Sequence, residues 1–277
     1  MGKTLITVQD LSCVGRCSLA VALPVLNCLG IQTYPLPTAL LSSHTGFDNP
    51  FRKNLTQEMK HILSHWEDIL HNVDAVYVGY IAHSKQVPII KKLLIQQKER
   101  GAKIYIDPVM GDNGKRYKSI SKKQCEALTD LCSYADWIFP NKTEAAILLN
   151  MPFDSLPDDK EILQSLIDKF SCNAVLTGVK TSSRTIGAAL KAQNNSEEVF
   201  HPFVPGHFVG TGDLFASVFI AAVMNELDMK QALNLAAHFV YRCICKTQED
   251  VLFGVPFEKE LYSLMTDFQK IKLQEKN

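Results

Sequence analysis

The chain has 277 residues, 46% hydrophobic and 21% charged, an ordinary globular composition that supports a sizeable apolar core and argues against disordered or fibrous chains. Lys plus Arg and Asp plus Glu number 29 each, so no basic surplus points to nucleic acid. The longest apolar stretches, 19–26 and 214–224, fall short of the roughly 20 residues that cross a bilayer, the run at 5–8 is too short for a signal peptide, and Ile6 breaks the myristoylation pattern. A cytoplasmic protein without membrane contact is expected.

Short apolar, β-branched runs at 5–8, 32–36, 75–78, 103–106, 137–139 and 174–177 read as strands. Stretches of helical period lie between them at 18–28, 56–70, 85–100, 121–133 and 158–170. Asp158 with Glu161 forms a capping-box pattern, and Gly101 stops the third helix. This alternation predicts parallel βαβ units. It breaks at 185–203, where strands at 185–190 and 199–203 flank a polar turn at 192–198, a hairpin expected to pack as a flap or edge outside the core. Helices are predicted again at 213–225, 230–245 and 257 to about 273. No linker, charge block or repeat divides the chain, so one three-layer α/β/α domain over 1–277 with a mostly parallel central sheet is expected. The eight cysteines contain no CxxC pair, and most of them sit in apolar stretches, where they read as small buried hydrophobes rather than zinc ligands.

Three clusters carry chemistry. In FVGTGDLFA, residues 208–216, Gly210, Thr211 and Gly212 feed into an apolar helix, so converging backbone N–H groups and the helix dipole make an anion cradle. Asp213 there is either a first-turn acid or a base that accepts a hydroxyl proton during phosphoryl transfer. In DPVMGDNGK, residues 107–115, Asp107 and Asp112 follow a strand and form either an Asp/Asn/Gly turn or a Mg²⁺ and phosphate site. In FPNKTEA, residues 139–145, Asn141 and Glu144 make a capping box, which by itself favours a structural role. There is no Walker loop, and the glycine motif comes too late in the chain for a dinucleotide fingerprint, which disfavours a dehydrogenase.

The FVGTGDLFAS, DPVMGDNGKRY and FPNKTEAAILL segments resemble those of the ribokinase-like superfamily of small-molecule kinases, and the chain is most similar to its pyridoxal kinases from near residue 5 to about residue 255. Ser43-His44-Thr45-Gly46 resembles their loop over the pyridine ring, with Thr45 against the substrate, and Val78-Gly79-Tyr80 resembles the strand end whose Tyr closes the pocket. The resemblance implies an ATP-dependent kinase acting on the 5′-hydroxymethyl group of pyridoxal, pyridoxine or pyridoxamine. Asp213 would be the base, and Gly210, Thr211 and Gly212 the anion hole. Asp112 and Glu144 would organise Mg²⁺, Asp107 and Asn141 would lie beside the nucleotide phosphates, and Thr177 would be a nucleotide-side Thr. It also implies a homodimer and leaves a place for a monovalent cation such as K⁺.

The chain departs from that pattern at its first strand end, where Asp10-Leu11-Ser12 stands in place of Ser-His-Val, so Asp10 or Ser12 must do the polar work. Asp10 could pair with a protonated pyridine nitrogen or a phenolic group. The same Asp-x-Ser start resembles hydroxymethylpyrimidine kinases of thiamin synthesis, the alternative reading. A vitamin-binding or regulatory protein on the same fold is the non-enzyme alternative. His44 could contact substrate or orient its loop, Tyr80 could line the pocket or the core, and Lys180 could reach phosphate or solvent.

Overall fold

The runs predicted as central strands are apolar at nearly every position because both of their faces are covered. The computed structural model describes residues 2–70, 72–182, 184–193, 195–247 and 251–274. In chain order its elements are β1 (Thr4–Ser12), α1 (Leu19–Cys28), β2 (Gln32–Leu41), β3 (Arg52–Asn54), α2 (Thr56–Ile69), β4 (Ala75–Val78), α3 (Val87–Glu99) and β5 (Lys103–Ile106). There follow β6 (Gly111–Asp112), β7 (Lys115–Arg116), α4 (Lys122–Cys132), β8 (Trp137–Ile138), α5 (Lys142–Leu149) and α6 (Asp159–Phe170). The last are β9 (Asn173–Ser182), β10 (Thr185–Ala192), β11 (Asn195–Pro202), α7 (Thr211–Met224), α8 (Met229–Cys245) and α9 (Leu261–Gln274).

The nine-stranded sheet has the order β11-β10-β9-β8-β5-β4-β1-β2-β3. Six strands from β2 to β9 run parallel, while β3 at one edge and β10 and β11 at the other run antiparallel. β2 and β4 flank β1 on opposite sides, so the chain reverses direction there, and open α/β sheets bind ligands at the carboxyl ends beside such a reversal.

Side chains alternate between two cores. Ile6, Val76, Ile104, Ile138 and Leu176 face helices α2 to α6. Leu5, Ala75, Tyr77, Tyr105, Trp137 and Val175 face α1, α7, α8 and α9. The expected three layers follow from this alternation. α7 is buried almost all round, from Leu214 to Ala222, which holds its first turn rigidly at the carboxyl edge of the sheet.

Three details differ from expectation. β1 runs past the predicted end at Val8 to Ser12, through buried polar Gln9, Asp10 and Ser12, which read as loop in sequence. The polar residues 195–198 are strand rather than turn, with Ala192 paired to Asn195, because β11 is an edge strand that has a solvated side. The hairpin is a sheet edge as expected, but it does not stay outside the core, since Ala188, Ala189 and Leu190 of β10 are buried. Cys125, Cys132, Cys172 and Cys243 are buried as expected, whereas Cys13 and Cys245 are exposed.

Candidate active site

The first turn of α7 is built by close packing. Gly210 caps the helix at φ 84°, and a Cβ there would meet the Arg16 carbonyl oxygen at 2.0 Å, so only glycine fits. The Thr211 hydroxyl donates to the Phe208 carbonyl at 3.2 Å and closes the turn. Gly212 is different: its added Cβ would meet only Asp107 Oδ2, at 3.9 Å. Neither packing nor a positive φ demands glycine at 212, and the open space above it faces a carboxylate, as a ligand cradle requires.

Asp213 is half-buried in that turn, and its Oδ2 accepts a 2.8 Å hydrogen bond from the Ser18 backbone N–H. Its other oxygen has no hydrogen-bond partner among the described residues. Burial pushes the Asp213 carboxyl up to about 7, the Ser18 bond opposes this, and the nearby Asp10 charge adds to it. Such a carboxyl is suited to accept a proton near neutrality.

A second group of acids surrounds the end of β5. Asp107 is 7% exposed, and burial followed by repulsion from Glu144 and Asp213 holds its carboxyl well above the usual range. Glu144 is raised chiefly by burial, while the N–H groups of Asn141, Met110 and Gly111 pull the other way. Its Oε1 accepts from Met110 N–H at 3.0 Å and its Oε2 from Asn141 N–H at 2.9 Å, while Asn141 Oδ1 accepts from Glu144 N–H at 3.0 Å. The expected capping box is therefore present, and it also ties the 107–112 loop to α5 through Asn141 Nδ2 and the Gly111 carbonyl at 2.8 Å.

Asp112 opens the β6–β7 hairpin, whose turn residues Asn113 and Gly114 have φ 52° and 74°, the positive pair of a type I′ turn. Among the described residues its carboxylate accepts only from the neighbouring Asn113, at 2.8 and 2.9 Å, and it stays partly exposed. No three metal-ligating side chains converge among the described residues. The partly exposed Asp112 carboxylate has the oxygen chemistry of a Mg²⁺ ligand, since that ion takes one or two carboxylates and completes its shell with phosphate and water.

On the substrate side, Asp10 is 5% exposed and accepts from the Ser12 hydroxyl at 2.9 Å. Burial raises its carboxyl, opposed by Ser18, Ser12 and, further down, the Arg52 charge. Tyr80 lies just past β4 with the Arg52 guanidinium 5.7 Å from its ring centroid. His44 is wedged between Gly15 and Gly46, either of whose Cβ atoms would strike its ring. Its Nδ1 accepts from Gly46 N–H at 3.0 Å, and its Nε2 lies 2.6 Å from the Leu252 carbonyl. Both ring nitrogens are thus spent on backbone, which orients the loop and leaves the exposed Thr45 at its tip.

On the far side, Thr177 N–H donates to the Pro140 carbonyl at 3.0 Å and forms a bridge with Asn141, which joins β9 to the capping-box cluster. Lys180 is exposed and stacks its ammonium 4.7 Å over Phe203, holding β9 to the segment after β11. Asp10, Asp107, Asp112, Glu144 and Asp213 therefore share one edge, while Lys180 stands at its rim.

The sequence reading missed Ser18, Arg16 and Arg52. Ser18 works through its backbone N–H in a left-handed conformation, φ 49°, and nothing in its side chain signals this. Arg16 Nε pairs with Glu258 at 2.6 Å, and Arg16 N–H donates to the Phe253 carbonyl at 3.0 Å, which closes the 13–18 loop under the segment after α8.

The sequence profile of the family described as phosphomethylpyrimidine kinase matches residues 44–252. A crystal structure from Bacteroides thetaiotaomicron assigned to the same family, and solved with pyridoxal, is 32% identical with a TM-score of 0.90, covering 95% of this chain and 96% of that one. The pyridoxal kinase of Lactobacillus plantarum is 29% identical with a TM-score of 0.88, covering 95% of this chain and 97% of that one. A Schizosaccharomyces pombe protein assigned as a pyridoxal kinase is 26% identical over 275 residues, 90% of this chain and 87% of that protein. The family profile spans most of the chain and the 32% identical fold nearly all of it, so the chain belongs to the phosphomethylpyrimidine kinase family.

Proposed function

We propose that this protein is an ATP-dependent kinase of vitamin B6 vitamers, phosphorylating their 5′-hydroxymethyl group. The observation that carries the reading is the Asp213 carboxylate, held by Ser18 N–H on one oxygen and free on the other, at the foot of a helix whose Gly212 opens onto Asp107. The likeness to a family structure solved with pyridoxal and to a pyridoxal kinase supports B6 vitamers as substrates.

The hydroxymethyl oxygen gives its proton to the free oxygen of Asp213 and attacks the γ-phosphorus of ATP, while ADP leaves. The N–H groups at 210–213 and the α7 dipole stabilise charge on the transferring group. Asp107, Asn141 and Thr177 border the nucleotide phosphates, with Lys180 at the rim as a further cation. Asp112 and Glu144 are the Mg²⁺ side, and bound Mg²⁺ neutralises phosphate charge there. Asp10, Ser12, Thr45 and Tyr80 surround the ring, with His44 holding the loop. The reading extends to a cytoplasmic homodimer and to a monovalent cation such as K⁺ near the phosphates, both from family resemblance.

The family description favours one second reading, a hydroxymethyl-aminopyrimidine as the phosphate acceptor. Turnover of pyridoxal, pyridoxine, pyridoxamine and that pyrimidine with ATP and Mg²⁺, with Asp213→Asn as the blank, separates them. Faster turnover of the B6 vitamers is expected, and preference for the pyrimidine would overturn the substrate while keeping the reaction.

A further inference from the structure

Most half-buried arginines in this fold are neutralised. Arg16 pairs with Glu258 and Arg242 with Asp267 and Glu260. Arg52 is also half-buried, yet among the described residues no carboxylate pairs with it directly. Its contacts are a hydrogen bond from Nη2 to the Ala82 carbonyl and the face of the Tyr80 ring. A guanidinium has five N–H donors, so most of this one's capacity remains unused.

Its position is set by strand register. Ser12 of β1 pairs with Leu41 of β2, and Leu41 pairs with Arg52 of β3, so the three stand in one row at the carboxyl edge of the sheet. Asp10, two residues before Ser12 on β1, accepts a hydrogen bond from the Ser12 hydroxyl, and the Arg52 charge is felt at both Asp10 and Tyr80. The Asp10 charge is in turn felt at Asp213. With its hydroxymethyl group at Asp213, as the proposed function has it, a six-membered ring turns its opposite edge toward Ser12-bonded Asp10 and toward Tyr80, the ring that Arg52 covers.

We infer that Arg52 is a specificity-determining residue, which binds the acidic phenolic oxygen of a 3-hydroxypyridine substrate through its unused N–H donors. In such rings the phenol ionises while the ring nitrogen is protonated, so the substrate edge carries a negative oxygen and a positive N–H. Arg52 and Asp10 present the complementary pair, which also explains an unpaired guanidinium held in a half-buried place. An aminopyrimidine has no phenolic oxygen and leaves Arg52 unsatisfied, so the same residue selects against it. The inference rests on the proposed function for the orientation of the ring.

The test is equilibrium binding of pyridoxine and 3-deoxypyridoxine by calorimetry, to the wild-type chain and to Arg52→Met and Arg52→Lys. The wild type should prefer pyridoxine by roughly 10–100-fold, the range of a charge-assisted hydrogen bond. Arg52→Met should bring the two ligands within about threefold, with Arg52→Lys between, since a lysine keeps the charge but loses the fork. A structural role, such as holding Ala82, would weaken both ligands alike and leave the ratio intact, and that result overturns the inference. So does equal binding of the two by the wild type, which needs no variant to fold. Binding of hydroxymethyl-aminopyrimidine with no binding of either pyridine would overturn the proposed substrate class, and the inference with it.

Discussion

The Asp213 carboxylate accepts its 2.8 Å hydrogen bond from the backbone N–H of Ser18, a residue 195 positions earlier in the chain, and the Ser18 side chain lies against Asp10. One residue thus joins the acid at the phosphoryl end of the site to the acid at the ring end. Asp213→Asn keeps an oxygen for Ser18 but cannot take a proton, so kcat should fall roughly 10²–10⁴-fold while KM changes little. Steady-state kinetics check this, and near-normal turnover would remove Asp213 as the base.

The same carboxyl predicts two pH effects of opposite sense. As a base it must be ionised, so kcat should rise with pH through about 7. Its folded value lies above the unfolded value of 3.8, so the folded state holds its proton more tightly, and stability contributed there is present below about 4 and lost as pH rises through about 7. Asp213→Asn should therefore melt above the wild type at pH 8, by roughly 1–2 kcal/mol after allowing for solvent screening, with the gain vanishing near pH 4. Melting curves across that range decide it.

Gly210 and Gly212 should separate folding from catalysis. Gly210→Ala drives a Cβ into the Arg16 carbonyl at a positive φ and should cost roughly 2–5 kcal/mol. Gly212→Ala meets only Asp107 Oδ2 at 3.9 Å, so it should fold at least as well, with a gain of up to about 1 kcal/mol from helix propensity. Its turnover should nonetheless drop roughly 10–10³-fold, because the methyl fills the cradle. Denaturant unfolding beside activity measures both.

Glu144 and Asp112 should divide in the same way. Glu144→Ala strips the Met110 and Asn141 N–H groups of their buried acceptor and should cost about 2–5 kcal/mol. Asp112→Asn touches only a bond to its neighbour Asn113 and should leave stability within about 0.5 kcal/mol. If Asp112 faces Mg²⁺, the half-saturating Mg²⁺ concentration in the kinase assay should rise roughly tenfold or more, and an unchanged Mg²⁺ curve would remove it from the metal site.

His44→Ala removes a ring wedged between two glycines and frees Gly46 N–H and the Leu252 carbonyl. The loop that carries Thr45 should loosen, so KM for the vitamer should rise about tenfold while kcat stays within about threefold. A kcat loss at constant KM would instead place His44 in the chemistry.

The layered fold and the three loops around Asp107, Asn141 and Asp213 were legible in the sequence because local rules govern them. Doubly buried parallel strands are continuously apolar, capping boxes have fixed spacing, and glycines mark turns and helix starts. The polar end of β1 was not legible, since buried Gln9, Asp10 and Ser12 look like loop until their surroundings in the fold are known. The 195–198 segment failed for the opposite reason, because an edge strand can be polar.

By itself the sequence determined which residue types stand at which strand ends, and so the kind of chemistry the edge can do. Only the tertiary structure decided that Ser18 holds Asp213, that His44 spends both nitrogens on backbone, that Gly210 is demanded by Arg16, and that Arg52 stands in the row of Ser12 with no carboxylate paired to it among the described residues. Each of these depends on segments brought together across the sheet, and spacing along a chain carries no information about such contacts unless both partners already belong to a recognisable motif.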